Sequence, residues 1–303
     1  MRRSLATVLL AAPLFVSCGD DTGDAVILLE AEESITGGVA AGQGPGEIVD
    51  GWSATFSKYI VALGPIELAR STHPGVETDP SERVIDLRSV PEGSLEVASF
   101  SGIPAGRWDL FSYRLVVATS DAARDASVSE ADFARMVSEG CTYLVQGTLS
   151  KPGGESCPPG GTCRPAETIA FDLCVPAAVR YESCVSETGI PGLPVTAGSS
   201  QSASITLHGD HLFFPGFPAG SENVMRRAQW LADSDVDGDG TVTRGELESL
   251  TAKGGLLSTL LPAGEYALSS PPFPLENAWQ YVRSQMVTQG HFQGEGECVW
   301  FVN

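Results

Sequence analysis

Short segments in which apolar residues alternate with polar ones, or run together, follow one another along the first 120 positions of this 303-residue chain. Gly- and Pro-rich turns separate these segments at regular intervals. Several short strands in succession are typical of packed β-sheets rather than of alternating strands and helices. The segments are 25–29, 52–56, 59–63, 84–87, 95–100 and 108–117. The sequence therefore predicts a mainly β fold, of the β-sandwich class.

The later part of the chain changes its spacing. Strand-like segments continue to residue 208, so we expect the β body to span residues 25–218. Residues 127–139 have helical spacing, with Ser129 as the N-cap and Gly140 after the end. From residue 219 onward the apolar residues follow a helical period, which predicts a helical segment over 219–303 that ends in a C-terminal helix. The whole chain would then be α+β.

The turn at 103–108 reads Ile-Pro-Ala-Gly-Arg-Trp and precedes an aromatic strand. A second copy, Leu-Pro-Ala-Gly-Glu-Tyr, occupies residues 261–266. Proline presets the backbone for such a turn and glycine closes it. The pattern resembles the turns of transthyretin-like (prealbumin-like) sandwich modules. This resemblance implies a fold class and no activity.

The N-terminus has the features of an export signal. Arg2 and Arg3 precede an apolar run of about a dozen residues, which is too short to span a bilayer. The following Phe15-Val16-Ser17-Cys18 resembles the lipobox of bacterial lipoproteins. The resemblance implies cleavage after residue 17, a lipid on Cys18, a polar tether over 18–24 and anchoring in the bacterial cell envelope. An ordinary cleaved signal that leaves a spare thiol is the alternative.

The chain is strongly acidic, with 38 Asp and Glu against 18 Lys and Arg. Nucleic-acid binding depends on clustered basic side chains that neutralise phosphates, so this composition argues against a nucleic-acid partner. It also argues against electrostatic binding to anionic lipid, which leaves the N-terminal lipid as the expected membrane contact. Cations are the partners that such a chain favours.

Six cysteines follow Cys18, and an even number in an exported chain indicates three disulfides. Cys157 and Cys163 would close the Gly- and Pro-rich loop 151–167. By proximity and elimination, we expect the other bonds to be Cys174–Cys184 and Cys141–Cys298. A zinc site is the alternative, although the cysteines lack the closely spaced pairs that zinc sites favour.

Residues 235–246 read Asp-Val-Asp-Gly-Asp-Gly-Thr-Val-Thr-Arg-Gly-Glu. Oxygen-bearing residues recur at every second position, and Gly240 permits a sharp reversal of the chain. The pattern resembles the twelve-residue loop of the EF-hand family at each diagnostic position, and helices are expected on both sides, over 223–232 and 244–253. The resemblance implies Ca²⁺ as the ligand. Its oxygen donors would be Asp235, Asp237, Asp239, the Thr241 carbonyl, Thr243 and the bidentate Glu246.

The chain contains a single such loop, whereas EF-hands usually occur in pairs. We therefore expect an affinity in the ~10⁻⁴–10⁻³ M range of extracellular modules, and a structural rather than a sensory ion. Asp233, just before the loop, could add negative charge. The alternative is an Asp- and Gly-rich surface turn that binds nothing.

A second candidate metal site combines His208, Asp210 and His211 with the distant His291. Imidazole and carboxylate groups suit Zn²⁺ or Cu²⁺. Residues three apart on a straight strand face opposite sides, so His208 and His211 converge only if Gly209 bends the chain. The alternatives are a transition-metal site and histidines that hydrogen-bond within a turn.

No motif nominates an enzyme: the chain lacks a Gly-x-Ser-x-Gly elbow, a His-Glu-x-x-His pair and a phosphate-binding loop. We expect Glu32 and Glu33 to form a solvated edge. An envelope hydrolase with structural calcium remains an alternative to a binding protein. The whole layout resembles uncharacterised lipoproteins of Gram-negative bacteria, a resemblance that implies no activity.

Overall fold

The computed structural model describes residues 21–90, 94–217 and 225–302. The expected signal peptide and Cys18 lie outside the described residues. The expected tether over 18–24 is wrong at its end, because the first strand already begins at Thr22. Backbone pairing with two other strands fixes residues 22–24 in a sheet.

The mainly β fold is confirmed. The strands are β1 Thr22–Ala31, β2 Ser53–Arg70, β3 His73–Asp79, β4 Arg83–Asp86, β5 Ser94–Pro104, β6 Gly106–Trp108, β7 Leu110–Leu115, β8 Ala123–Arg124, β9 Tyr143–Ser150, β10 Glu155–Ser156, β11 Arg164–Pro165, β12 Thr168–Val175, β13 Val179–Glu182, β14 Leu193–Val195, β15 Ser200–Leu207, β16 Thr241–Thr243, β17 Gly290–Phe292 and β18 Val299–Val302. The α-helices are α1 Glu33–Thr36, α2 Glu130–Glu139, α3 Gln229–Ala232, α4 Arg244–Ser249, α5 Leu256–Leu260 and α6 Ala278–Met286. Short 3-10 turns cover Leu87–Ser89 and Gly209–Phe213. Among the described residues, none of the helices has the length and apolar character that crossing a membrane requires.

The larger sheet is built around β2, the longest strand. Its main order is β16-β12-β9-β2-β7-β13-β18, with β3, β4 and β8 attached through β2 and β4. Residues 59–63 of β2 are buried on both faces. One of these faces is covered by α2, whose Met136 packs with Ile60 and Leu144. Near its centre, the larger sheet therefore has apolar residues packed against both of its faces.

Helix α2 forms as its sequence predicts. The Ser129 hydroxyl accepts the N–H of Asp132, which caps the first turn. Gly140 takes the left-handed conformation, with φ of +72°, at the other end. The cap residues thus set both ends of the helix.

The smaller sheet has the order β17-β15-β1-β5. Strand β1 pairs parallel with β15 and antiparallel with β5. Alternate residues of β1, namely Ala25, Ile27 and Leu29, are fully buried. They join one apolar cluster with residues of the larger sheet, including Phe111 and Tyr143. Both sheets therefore contribute to the same core.

Three disulfides are present, as the even number of cysteines predicted. The pairing Cys157–Cys163 is confirmed. The expected Cys174–Cys184 and Cys141–Cys298 bonds are wrong, because the structure joins Cys141 to Cys174 and Cys184 to Cys298. Strand register explains both bonds.

The neighbouring strands β9 and β12 place Leu144 opposite Cys174, close to Cys141. The pairing of β13 with β18 places Glu182 opposite Val299, which brings Cys184 next to Cys298. Proximity along the chain is a poor guide to disulfide pairing when the sheet order is not known.

The segment from residue 219 is less helical than expected. The helix predicted over 223–232 is seen only as α3, Gln229–Ala232, and residues 218–224 lie outside the described residues. The second predicted helix, over 244–253, ends at Ser249. The same segment supplies β16, β17 and β18 to the two sheets. The last third of the chain is thus part of the β architecture.

Candidate metal centres

The acidic loop, residues 235–246, connects α3 to α4. Gly238 and Gly240 take φ angles of +82° and +86°, which glycine adopts without a steric penalty. The N–H of Gly238 donates to Asp235 Oδ1 at 3.1 Å, and the N–H of Asp239 donates to Asp237 Oδ1 at 3.1 Å. These contacts curl the chain around its own carboxylates.

Three of the predicted oxygen donors come together in this loop. The carboxylates of Asp235, Asp237 and Glu246 each offer one oxygen, and these oxygens lie within 4.8 Å of one another. Each pair of such charges repels by about 1 kcal/mol even in bulk water. A divalent cation between the three carboxylates would relieve this repulsion.

Glu246 is held towards the loop by backbone donors. Its Oε1 accepts the N–H of Val236 at 2.8 Å, and its Oε2 accepts the N–H of Thr243 at 2.8 Å. The Thr243 hydroxyl also donates to Oε2, so that Thr243 and Glu246 form a capping box at the start of α4. Glu246 thus caps the first turn of α4 and also faces the carboxylates of Asp235 and Asp237.

The remaining predicted ligands are placed differently. Asp239 is exposed, its Oδ1 accepts the N–H of Thr241 at 2.8 Å, and its carboxylate is not among the three that converge. Thr241 and Thr243 belong to β16. Val242, which lies between them, is fully buried.

The short strand of the acidic loop pairs with the larger sheet. Strand β16 runs parallel to β12, with Thr241 opposite Ala170 and Val242 opposite Phe171. The Ala170 N–H also donates to the Gly240 carbonyl at 2.8 Å. The edge of the sheet therefore supports the loop along one side.

A cation of the protein itself contacts the acidic loop. Arg164 lies within the disulfide-stapled loop, residues 151–167, directly after Cys163, and its Nη2 lies 2.9 Å from Asp235 Oδ2. The same group donates to the Asp235 carbonyl. Asp235 is almost completely buried. This contact links the stapled loop to the first carboxylate of the acidic loop.

Asp233 also connects the stapled loop to the segment that leads into the acidic loop. Its Oδ1 accepts the N–H of Cys157 at 2.6 Å and the Gln229 amide at 2.8 Å. Burial raises the pKa of Asp233 above its usual value, although these hydrogen bonds act in the opposite direction. Asp233 thus fixes the stapled loop against α3.

The second centre is the histidine cluster, formed by His208, His211 and His291. All three imidazoles are buried, with exposures of 2%, 2% and 3%. Their ring centroids are 4.3 Å apart for His208 and His291, 5.2 Å for His211 and His291, and 5.7 Å for His208 and His211. One nitrogen from each ring lies within 4.8 Å of the other two.

The bend at Gly209 explains why the histidines converge. Strand β15 ends at Leu207, and the chain then enters the 3-10 turn Gly209–Phe213, which brings His211 back towards His208. His291 comes from β17, which pairs antiparallel with β15 and places Gly290 opposite Leu207. The condition for convergence, a bend at Gly209, is therefore met, and the sheet brings in His291.

One ring nitrogen of His211 is held by a neighbouring hydroxyl. Its Nδ1 lies 2.9 Å from Thr288 Oγ1, while the Thr288 hydroxyl donates to the Gln285 carbonyl at 2.8 Å. A hydroxyl has one proton to donate, so Thr288 Oγ1 accepts from Nδ1–H. This contact fixes the orientation of the His211 ring within the cluster.

The fourth predicted ligand, Asp210, is engaged elsewhere. Its Oδ2 accepts Arg226 Nε at 2.6 Å in a buried ion pair. Asp210 and His208 also form a group with Glu32, in which the ligand atoms lie within 4.8 Å of one another. His208 thus lies between the other two imidazoles and the carboxylates of Asp210 and Glu32.

Glu32 was expected at a solvated edge, and this expectation is wrong. The residue is half-buried, and its carboxylate accepts the N–H of Ser34 as the cap of α1. Burial, followed by the nearby Asp210 carboxylate, raises the pKa of Glu32 above its usual value. A Glu directly after a strand and two residues before Ser34 signals a cap, but nothing local indicates that Asp210, 178 residues away, lies beside it.

Comparison with known proteins gives no match: no protein-family model, no curated protein and no solved structure is similar to this chain.

Proposed function

We propose that this chain is an exported, lipid-anchored protein of the bacterial envelope that binds one Ca²⁺ in the acidic loop as an EF-hand. The bound ion would have a structural role, and the protein would act by binding rather than by catalysis. The observation that carries this proposal is the convergence of the Asp235, Asp237 and Glu246 carboxylates within 4.8 Å. Lipid on Cys18, detected in the mass of the N-terminal peptide, tests the proposed anchor.

The backbone geometry supports calcium over a bare surface turn. Two glycines in the left-handed region allow the chain to reverse, and the buried Val242 anchors the loop in the core. Glu246 faces the loop and could supply the bidentate carboxylate that such a loop uses. Mg²⁺ suits a loop of this kind less well, because it requires near-octahedral geometry and keeps its waters.

The pairing of β16 with β12 supports a structural role. In paired EF-hands, the short strand of one loop is supported by the other loop. Here the β12 edge takes that place, so that an ion in the acidic loop would hold α4 against the larger sheet. The shared core of the two sheets likewise supports a β-sandwich, since Phe111 of β7 and Phe292 of β17 are in contact across it, with ring centroids 4.7 Å apart.

The test is calcium titration by calorimetry of the native protein and two variants. Glu246→Gln removes one ligand charge, so we expect at least a tenfold loss of Ca²⁺ affinity. The amide can still cap α4, so the free energy of unfolding of the calcium-free protein should change little. The matched control is Glu248→Gln on the same helix, where the native carboxylate pairs with Arg244 at the surface. It should bind as the native protein does. Equal affinity in native and Glu246→Gln proteins would defeat the proposal.

A further inference from the structure

We propose that His208, His211 and His291 form a binding site for one divalent transition metal ion of the Zn²⁺ class, separate from the acidic loop. The acidic loop offers hard oxygen donors, which Ca²⁺ prefers. The histidine cluster offers imidazole nitrogens, which suit Zn²⁺, Cu²⁺ or Ni²⁺ and are poor ligands for Ca²⁺.

The distances fit a single ion. A tetrahedral zinc ion with Zn–N distances of ~2.0–2.1 Å holds its ligand nitrogens about 3.3 Å apart. The three nitrogens of the cluster already lie within 4.8 Å of one another. The required closure is therefore at most about 1.5 Å, which small rotations of the three rings can supply.

Burial distinguishes this cluster from histidines that meet by chance. Three of the four histidines in the chain lie together, each no more than 3% exposed. One ion coordinated by the three rings would fix their relative positions inside the core.

The support behind the rings is of the kind found around protein metal ligands. The Thr288 hydroxyl accepts from His211 Nδ1 and is itself fixed by the Gln285 carbonyl. His211 also stacks on Phe214, with ring centroids 4.2 Å apart. Strands β15 and β17 set the positions of the other two rings.

The surrounding charge favours a cation. Asp210 and Glu32 place two carboxylates beside His208, and the buried Arg226 pairs with Asp210. We assign Asp210 to this ion pair rather than to the metal ligands, because the three imidazole nitrogens converge without it and its Oδ2 is bonded to the guanidinium. The ligand set is therefore His208, directly after β15, His211 in the following 3-10 turn and His291 in β17.

The experiment uses the full, disulfide-bonded protein, stripped with a chelator and then dialysed against Zn²⁺ in saturating Ca²⁺. Calcium keeps the acidic loop occupied, so that bound zinc reports on another site. We expect one equivalent of Zn²⁺, with at least a 100-fold loss of affinity in His291→Gln and in His211→Gln. The matched control is His73→Gln, because His73 is exposed at the start of β3. This variant should keep native binding.

A substitution outside the ligand set tests the assigned geometry. Thr288→Val keeps the shape of the side chain but removes the acceptor for His211 Nδ1–H, so we expect roughly a 10- to 100-fold weaker Zn²⁺ affinity. If a histidine variant fails to fold, Co²⁺ bound to the native protein replaces it as the readout. Tetrahedral nitrogen ligation should give a visible absorption band that Zn²⁺ abolishes.

Two results would overturn the proposal. One is a native protein that retains no Zn²⁺ after dialysis and gives no Co²⁺ band, which would make the cluster a hydrogen-bonded part of the core. The other is a folded His291→Gln protein that binds Zn²⁺ as tightly as the native one. Neither result depends on calcium binding, which the Glu246→Gln titration measures separately.

Discussion

At the scale of single residues, the contact between Arg164 and Asp235 sets the charge of the acidic loop. The guanidinium lies 2.9 Å from a carboxylate that the proposed Ca²⁺ would need. The guanidinium partly neutralises the negative charge of the loop carboxylates. It would also repel the proposed Ca²⁺. The same contact joins the loop to the Cys157–Cys163 disulfide, because Arg164 directly follows Cys163.

Replacing Arg164 by Gln should therefore strengthen calcium binding. The repulsion between a guanidinium and a divalent ion about 5 Å away is about 1.7 kcal/mol in bulk water, and less in salt. We expect about a three- to tenfold gain in Ca²⁺ affinity by calorimetry. Arg180→Gln on β13, where the native residue pairs with Glu182, serves as the control. A weaker affinity in Arg164→Gln would show that Arg164 positions Asp235 instead of competing with the ion.

Among the elements, β16 connects the proposed calcium site to the β body. Three residues of the acidic loop add a parallel strand to the edge of β12, and the Ala170 N–H reaches the Gly240 carbonyl. An ion that orders the loop must therefore also steady the neighbouring edge strand.

Hydrogen exchange should detect this connection. At Ca²⁺ concentrations ten times the dissociation constant, the amide of Ala170 should exchange up to about tenfold more slowly than without calcium. Glu246→Gln, measured in parallel, should show no such change. Protection confined to residues 235–246, with Ala170 unaffected, would mean that the loop and the sheet are not coupled.

The elements also show which features a sequence can predict. A continuous apolar run predicted β1, alternation predicted β5, and cap residues predicted α2, because these signals are local. The segments 52–56 and 59–63, predicted as two strands, belong to the single long strand β2. The strands β16, β17 and β18 have three or four residues, too few for a period to be visible. Their pairing depends on partners far along the chain.

The two candidate centres differ for the same reason. The donors of the acidic loop lie within twelve residues of one another, so the EF-hand resemblance could include Asp235, Asp237 and Glu246 in one ligand set. The histidine cluster needs the β15–β17 pairing to bring in His291. Asp210 resembled a ligand in the sequence, since nothing local indicated that Arg226 would take its carboxylate.

For the molecule as a whole, the disulfides differ greatly in the length of chain that they close. Cys184–Cys298 joins residues 114 apart, whereas Cys157–Cys163 joins residues 6 apart. On the chain-entropy account, the longer loop stabilises by about 5 kcal/mol and the shorter by about 2 kcal/mol.

Removing both cysteines of each pair should separate these contributions. We expect the Cys184→Ala/Cys298→Ala protein to lose about 3 kcal/mol more of its free energy of unfolding in urea than the Cys157→Ala/Cys163→Ala protein does. Paired substitutions avoid stray thiols. If the two double variants lost equal stability, loop length would not govern the contribution of these bonds.

The parallel pairing of β1 with β15 has a consequence for biosynthesis. A ribosome releases residues 22–31 long before residues 200–207. Strand β1 therefore cannot pair with β15 until about two-thirds of this chain has been made. Closing so long a span is slow, and the waiting strand exposes an apolar face in the meantime. A nascent chain of this kind would benefit from a holding chaperone until its later strands arrive.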